Sequence, residues 1–293
     1  SRKYKNKFNK NIKFVSLKFD FWDNLTRRFK FFLAIILLIK EVFKNKNSVV
    51  VSFQANIYCG LLSKLLGFNL IIRSNSSPKG WSQNFIKNFF YRIGLNAAKN
   101  IIVNSQEFRK EIKNRFNVSS ECIYNPLNKR EILKLSRKKI KFKFFTRGSL
   151  NIINIGRIEN QKDQKTLLKA IKILNKKIKV KLLIIGNGSM QNELEKFIIN
   201  NGLEKSIKIL NNISNPFPYL LKSDLFILSS IYEGLPNVLL ESLTLKKFVI
   251  STNCSTGPSE ILDYGKGGIL TPVQDYQSLA KKIIYFKKNK KKL

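Results

Sequence analysis

The sequence predicts an α/β fold in which two doubly wound parallel sheets face each other across a cleft. Short runs of β-branched and apolar residues alternate with longer amphipathic stretches, and this alternation occurs twice along the chain. The runs are apolar on both faces, as is typical of a parallel sheet covered by helices. A length of 293 residues with 43% hydrophobic residues can bury a large core and suits one large domain or two ordinary ones.

The first half is predicted to contain five strands and four helices. The strands are the apolar runs 11–17, 48–53, 69–74, 100–105 and 121–125. The helices are the amphipathic segments 24–44, 55–66, 82–98 and 105–116. A polar, basic stretch from Asn128 to Arg147 then breaks the pattern, and we interpret it as the hinge between two domains, 1–147 and 148–293.

The second half repeats the plan. Its predicted strands are 151–155, 180–186, 206–210, 224–230 and 248–252. Its predicted helices are 163–176, 190–201, 216–222, 236–245, 258–263 and 276–286. Ligands of such sheets bind beyond the carboxyl ends of the strands, so we expect the functional residues in the loops that follow the strands.

Composition excludes several classes of protein. The chain has no histidine, which removes histidine acid/base catalysis, Ser-His-Asp triads and the usual catalytic zinc sites. Its three cysteines, Cys59, Cys122 and Cys254, have no CxxC spacing, so neither a disulfide framework nor a zinc ribbon is expected and a reducing cytosol fits best.

The net charge of +37 suggests a nucleic-acid-binding protein, but the choice of basic residue argues against this interpretation. Only 11 of the 55 basic residues are arginine, the residue that reads bases by bidentate contacts, and no RNP1 pattern is found. Residues 1–147 hold 32 basic and 7 acidic residues, so an anionic surface should attract that half first. The longest apolar run, Phe31 to Ile39, is too short to span a bilayer and predicts a helix packed on a core or lying at an interface.

The loop that follows strand 151–155 contains a candidate anion site. Gly156 allows a tight turn off the strand, and Arg157 and Lys162 are spaced to converge on one anion near a helix start. Arg157 is the only arginine in residues 148–293, which favours a rigid bidentate contact, as for a diphosphate. The alternative is a solvated basic loop.

The loop from Gly186 to Ser189 begins like a dinucleotide fingerprint, but the third glycine is missing. We interpret it as a tight turn with Ser189 as the N-cap of the next helix.

The loop after strand 224–230 places two glutamates differently. Glu233 lies before the helix and Glu241 lies inside it, so they should reach different parts of a ligand. Pro236 suits the first helical position, which leaves free N–H groups as an anion site at Asn237, Val238 and Leu239. The alternative is a favourable charge near a helix start and an ordinary surface glutamate.

Gly156-Arg157-x4-Lys162 followed by Glu233-x7-Glu241 resembles the retaining glycosyltransferases of family 4, which have the GT-B fold of two facing Rossmann-like domains. The segment from Asn253 to Leu262 further resembles bacterial members that use UDP-N-acetylhexosamines or related sugars to build lipid-linked or surface glycans.

The resemblance implies a hexosyltransferase that moves a hexosyl or N-acetylhexosaminyl group from a UDP-sugar to a lipid-linked or surface-glycan acceptor, without a cofactor. Residues 1–147 would bind the acceptor and residues 148–293 the nucleotide sugar. The implied catalytic residues are Arg157, Lys162 and Glu233. The implied donor-binding residues are Gly156, Gly234, Asn237, Val238, Leu239 and Glu241, with Glu241 at the ribose, and the acceptor-side candidates are Arg73 and Asn75.

The family pattern also raises expectations about what this sequence lacks. The family's first strand and Gly-rich loop are expected before Ser1, and its crossing C-terminal helix after Leu293, so we expect a fragment. Many members carry a histidine where this chain has Arg73-Ser74-Asn75-Ser76, and Asn75 is the expected substitute. Without histidine or a DxD motif, we expect catalysis by stabilisation of the leaving diphosphate and no metal.

Three other functions stay open at this point: an inactive GT-B fragment or scaffold, a UDP-sugar epimerase and, on charge alone, a nucleic-acid-binding protein. The expected location is cytoplasmic, peripheral on the inner face of the membrane, with an anionic lipid surface as a partner and no nucleic acid.

Overall fold

The computed structural model describes residues 25–45, 47–81 and 84–290, together with 9, 11, 12 and 15. The first half contains, in order, α1 (Arg27–Lys44), β1 (Val49–Ser52), α2 (Asn56–Leu66), β2 (Asn69–Ser74), a 3-10 turn (Pro78–Gly80), α3 (Phe85–Asn96), β3 (Asn100–Val103), α4 (Gln106–Phe116), β4 (Glu121–Cys122) and α5 (Lys129–Ser136). Its parallel sheet has the order β1-β2-β3-β4. The strand predicted at 11–17 falls mostly outside the described residues.

The second half forms a separate sheet. Its elements are β5 (Leu150–Ile155), a 3-10 turn (Asn160–Lys162), α6 (Gln164–Asn175), β6 (Val180–Ile185), α7 (Gln191–Asn200), β7 (Ile207–Leu210), α8 (Phe217–Lys222), β8 (Leu225–Leu228), α9 (Asn237–Thr244), β9 (Phe248–Thr252), α10 (Pro258–Ile261), a 3-10 turn (Asp263–Gly265), β10 (Ile269–Thr271) and α11 (Tyr276–Asn289). The parallel order is β10-β9-β8-β5-β6-β7, so the strand order reverses between β5 and β8. Ligands of doubly wound sheets bind at such a reversal, which places the site at the loops that leave these two strands.

The predicted architecture of two parallel α/β sheets is confirmed, with two local differences. Helix α5 lies within the stretch interpreted as a hinge: Asn128 caps it by accepting from Glu131 N–H, and its buried Ile132 packs with the second sheet. Strand β10 was not predicted, because three residues between glycines and a proline are too few to show a period. The domain boundary at 147/148 stays a prediction.

Successive side chains of the central strands face opposite sides of the second sheet. Both sides are packed against helices, which explains why these strands are mostly apolar. Ile152 and Ile227 face a core built with α6, α7 and α11, whereas Ile153 and Phe226 face a core built with α5, α8 and α9. All four side chains are fully buried. Both faces of the second sheet are therefore covered, and its loops start from rigid strand ends.

Helices α2 and α3 of the first half cross at glycines. A Cβ on Gly60 would lie 2.1 Å from the carbonyl oxygen of Gly94, and a Cβ on Gly94 would lie 3.0 Å from the carbonyl oxygen of Ile57. The two backbones are therefore in direct contact, and no side chain fits between them.

We expect Gly60→Ala to lower the free energy of unfolding by about 1–3 kcal/mol, because the overpacking against backbone outweighs the roughly 1 kcal/mol by which alanine favours a helix. Urea unfolding would measure it. Gly267→Ala is the matched control, since a Cβ there meets its nearest atoms at an ordinary 3.5 Å. Equal stability of the Gly60 variant would contradict the close crossing.

Candidate functional site

The loop after β5 packs against the loop after β6 through glycines. Ile158 N–H donates to the carbonyl of Asn187 (2.8 Å), and Met190 N–H donates to the carbonyl of Ile158 (3.0 Å). A Cβ on Gly186 or Gly188 would lie 1.9 Å or 2.0 Å from backbone oxygens of the first loop. The two glycines therefore allow two loops to pack closely, which agrees with the incomplete dinucleotide fingerprint.

The predicted N-cap at Ser189 is wrong. The hydroxyl and N–H of Ser189 donate to the two carboxylate oxygens of Glu159, at 2.7 and 3.1 Å, while α7 begins two residues later without a side-chain cap. These hydrogen bonds hold the pKa of Glu159 below its ordinary value. A serine that binds a carboxylate across two loops cannot be recognised from local sequence.

Lys162 and Glu233, predicted in the loops after β5 and β8, form an ion pair. Lys162 Nζ lies 2.5 Å from Glu233 Oε1, and Ser230 Oγ donates to the same oxygen at 2.6 Å. The side chains of the pair are 15% and 7% exposed, so water screens the charges weakly. A Cβ on Gly156 would lie 3.5 Å from Lys162 Cε, which places Gly156 directly beside the lysine.

Three further hydrogen bonds join the same two loops. Gln161 Nε2 donates to the carbonyl of Tyr232 (2.9 Å), and Ile231 N–H donates to the carbonyl of Gln161 (2.8 Å). Ser229 Oγ donates to the carbonyl of Lys162 (2.8 Å). The loops after β5 and β8 therefore form one unit at the reversal of strand order.

Sequence reasoning missed Gln161 and Ser230. Gln161 lies inside the basic loop, and only the fold brings it to the second loop. A signal for Ser230 was present, because two serines follow the apolar residues 225–228 of the predicted strand and a polar strand end faces the ligand edge of a parallel sheet.

Arg157 and Asn75 line one cavity of about 1010 Å³. Arg157 is exposed, and its Nη2 donates to Gln161 Oε1 at 3.2 Å. Asn75 is exposed at the end of β2, and its carbonyl oxygen would lie 2.2 Å from a Cβ on Gly234, so no side chain fits at that position. Aromatic side chains make up much of the remaining wall: Phe53, Tyr58, Trp81, Phe90 and Tyr91.

Arg73 takes a different position from the one expected. Its Nη2 donates to the carbonyl of Ile123 (3.3 Å) and to Asn125 Oδ1 (3.1 Å), and Arg73 does not line the cavity. Asn125 Nδ2 in turn donates to Asn237 Oδ1 (2.8 Å) at the start of α9. Arg73 thus braces a link between the two halves, and Asn75 is the acceptor-side candidate that faces the cavity.

The start of α9 offers fewer free donors than predicted. Pro236 precedes the first helical residue rather than occupying it, and Leu239 N–H donates to the Pro236 carbonyl at 3.0 Å. The prediction of a free N–H is therefore wrong for Leu239. In the part of the chain that the structure describes, the N–H groups of Asn237 and Val238 have no hydrogen-bond acceptor. The Val238 and Leu239 side chains pack into the core, so only their backbone can face a ligand.

Glu241 is half-buried within α9, and no hydrogen bond or ion pair of its carboxylate is found among the described residues. Burial raises its pKa above the ordinary value of 4.5. A partly desolvated carboxylate that has no hydrogen-bond donor among the described residues can accept hydrogen bonds from a ligand. An ordinary surface glutamate would be more exposed.

Cys254 lies close enough to the ion pair to sense its charges. Burial, followed by the negative charge of Glu233, raises the pKa of the Cys254 thiol to about 12. The thiol is therefore protonated near neutral pH, and it is not a ready nucleophile.

The comparisons with known proteins agree on one family. A family model described as glycosyl transferases group 1 matches residues 136–293. The glycosyltransferase MJ1059 of Methanocaldococcus jannaschii is 34% identical over 200 residues, which cover 62% of this chain and 49% of the relative. The chain thus spans about half the length of that relative.

A second relative is covered more fully. It is the GalNAc-alpha-(1->4)-GalNAc-alpha-(1->3)-diNAcBac-PP-undecaprenol alpha-1,4-N-acetyl-D-galactosaminyltransferase of Campylobacter jejuni, 28% identical over 290 residues, which cover 94% of this chain and 76% of the relative. The crystal structure of Anabaena HepE in complex with UDP superposes with a TM-score of 0.68 at 19% identity, over 87% of this chain and 73% of HepE. The fold is thus GT-B, two Rossmann-like domains across a cleft.

We expect Glu241→Gln to raise the free energy of unfolding at pH 7. A raised folded-state pKa means that the ionised carboxylate is less favourable in the folded chain than in the unfolded chain, and this cost disappears as the pH falls below 4.5. The gain from the neutral amide should therefore shrink in acid. Unfolding by urea at several pH values would measure it.

Glu204→Gln is the control for Glu241→Gln, because Glu204 is exposed and should be insensitive to the change. A loss of stability in Glu241→Gln at pH 7 would contradict the argument, since it would mean that the charged carboxylate is stabilised in the ligand-free chain.

Proposed function

The chain belongs to the group 1 glycosyltransferases, and from this premise we propose that it moves a hexosyl or N-acetylhexosaminyl group from a UDP-sugar to a lipid-linked or surface-glycan acceptor. The observation that carries the proposal is the meeting of Lys162 and Glu233 at neighbouring strand ends, with Arg157 on the same loop as Lys162. Cations for a diphosphate and a carboxylate for sugar hydroxyls are what a nucleotide sugar requires at this place in the fold.

We assign the donor to residues 148–293. Lys162 Nζ has three donors and Glu233 uses one, so two stay available for phosphate oxygens while the ion pair persists. Arg157 adds a planar fork, and the backbone at Gly156, Gly234, Asn237 and Val238 approaches the same ligand. The HepE structure named above contains UDP, which supports the choice of nucleotide.

The two glutamates have separate tasks in this proposal. Glu233 Oε1 is bound to Lys162 and Ser230, whereas Oε2 has no hydrogen-bond partner in the described part of the chain and can accept from a sugar hydroxyl. Glu241, whose carboxylate has no partner among the described residues, accepts from the ribose.

The chemistry we propose is stabilisation of the leaving diphosphate. As the glycosidic bond breaks, negative charge grows on the diphosphate, and in this proposal Arg157 and Lys162 stabilise it. Glu233 is engaged by Lys162, and the Cys254 thiol is protonated, so we propose attack by an acceptor hydroxyl from the face that the diphosphate leaves, with retention of configuration. The new glycosidic bond forms as the bond to the diphosphate breaks, and the hydroxyl proton passes to the departing diphosphate oxygen. Independence from metals and cofactors stays a prediction.

The acceptor belongs, in this proposal, to residues 1–147 and the aromatic cavity beside Asn75. The name of the Campylobacter relative describes an undecaprenol-linked acceptor for that protein, which supports a lipid-linked acceptor here. Along the described chain, no helix is both long and apolar enough to cross a bilayer. We propose peripheral binding to the anionic inner face of the membrane, on the cytoplasmic side, and no binding of nucleic acid.

Helix α1 supplies a surface for that binding. Its apolar residues Phe29, Phe32, Ile36 and Phe43 follow one helix face and are 46–61% exposed. Exposed Lys40 lies on the same face. An apolar stripe with basic neighbours suits the interface of an anionic bilayer.

We expect Glu241→Ala to weaken UDP and UDP-sugar binding alike by about tenfold or more, because a ribose contact made in substrate and product mainly affects KM. Glu233→Gln should leave UDP affinity nearly unchanged and lower kcat by about tenfold or more, because orientation of the sugar is used in the transition state. The glutamine keeps an oxygen for Lys162. UDP calorimetry and transfer kinetics with UDP-N-acetylgalactosamine and undecaprenyl-diphosphate-linked sugar would measure both.

Exposed Glu204→Ala is the control for the two glutamate variants. If Glu233→Gln loses UDP affinity while Glu241→Ala loses only turnover, the assigned roles are reversed. If neither changes either quantity, these loops are not the donor site.

We expect the chain to sediment with phosphatidylserine vesicles and to be released by added salt, because each basic residue near the surface contributes on the order of 1 kcal/mol at low screening. Ile36→Ser should weaken binding about tenfold through lost apolar burial. Ile199→Ser, on exposed Ile199 of α7, is the matched control. Equal sedimentation with neutral phosphatidylcholine would show that the charge plays no part.

A further inference from the structure

The first turn of α4 in the first half is held by a glutamate from the second half. Gln106 N–H and Glu107 N–H donate to the two carboxylate oxygens of Glu260, at 3.1 and 3.0 Å. Tyr124 Oη, also in the first half, donates to the same carboxylate at 2.6 Å. Helix starts leave such N–H groups without intrahelical acceptors, so Glu260 supplies what α4 lacks.

The reverse contact is made by the neighbouring glutamate. Glu107 accepts from Gly257 N–H at 2.8 Å and from Ser259 Oγ at 2.5 Å, both at the start of α10, which also carries Glu260. Each helix start is therefore capped by a carboxylate from the other half. Glu107 lies in α4 and caps α10, whereas Glu260 lies in α10 and caps α4. Loss of one contact should therefore loosen the other.

The segment 256–259, which takes part in these contacts, packs against the loop that carries Glu233. Thr256 Oγ1 donates to the Glu233 carbonyl at 2.5 Å, and a Cβ on Gly257 would lie 2.1 Å from the carbonyl oxygen of Gly234. The segment that Glu107 holds thus lies directly against the backbone of Glu233 and Gly234.

We propose that Glu107 and Glu260 are positioning residues that form a reciprocal clamp between the two sheets and hold the Glu233 loop in place for transfer. The expected effect of the clamp on transfer rests on the proposed function, whereas the expected coupling between its hydrogen bonds does not. The clamp uses four charge-assisted hydrogen bonds across the halves, in addition to that of Tyr124.

Amide hydrogen exchange on the full chain tests the reciprocity. Glu260→Ala should speed exchange at Gln106, and also at Gly257, whose N–H is bound by Glu107. Glu107→Ala should speed exchange at Gly257, and also at Gln106. We expect about tenfold or more at both sites in each variant, as for loss of a hydrogen bond to a charged acceptor.

A control amide and a control variant test whether the change in exchange is specific. Phe108 N–H donates to Ser105 Oγ inside the first half, so its exchange should change less than that of Gln106. Glu204→Ala should change none of these sites. If each variant speeds exchange only at the amides bound to the replaced carboxylate, the glutamates are independent caps and the clamp is overturned. Glu107→Gln and Glu260→Gln, which preserve shape, decide the matter where an alanine variant does not fold.

Kinetics separates positioning from mere stability. Glu107→Ala should lower kcat about tenfold and change UDP affinity much less, because the clamp packs against the Glu233 loop, which this proposal assigns mainly to the sugar. Glu107→Gln should recover part of the loss in kcat. Equal kcat in a folded Glu107→Ala variant would overturn the positioning role. Absence of transfer by the unsubstituted chain would count against the proposed function, while the exchange result decides the clamp by itself.

Discussion

The ion pair between Lys162 and Glu233 is the interaction on which the site depends. It joins the loops of β5 and β8 at the point where the strand order reverses, and both side chains are nearly buried. In weakly screened surroundings each charge requires the other, so the two loops keep one relative position before any ligand arrives. The lysine retains donors and the glutamate retains an oxygen, so the pair leaves bonding capacity for a ligand.

Carboxylates are scarce in this chain, and several of them hold structural elements around the cleft. There are 18 acidic residues against 55 basic ones, yet four glutamates hold loops or helix starts around the cleft: Glu107, Glu159, Glu233 and Glu260. Because of this excess of basic over acidic residues, few other carboxylates compete for the donors that these four glutamates bind. The same excess gives the surface a positive field that favours anionic ligands and surfaces in general.

Close backbone approach sets how the two halves meet. A Cβ on Gly80 would lie 2.2 Å from the ring of Tyr232, and a Cβ on Gly234 would lie 2.2 Å from the carbonyl oxygen of Asn75. Ser76 and Gly234 form an antiparallel bridge at the same place. Because these contacts leave little room for a side chain, glycine at these positions allows the two halves to approach each other closely.

The sequence by itself determined the α/β class, the two sheets and the loops that carry the candidate site, because apolar period and strand-to-helix order are local properties. It also identified Lys162, Glu233 and Glu241 as candidates from their positions after strands and inside α9. Only the tertiary structure decided that Lys162 meets Glu233, that Ser189 binds Glu159 instead of capping α7, and that Arg73 braces Asn125. These pairings join residues far apart in the chain, and their geometry depends on strand order and helix packing, which no local pattern specifies.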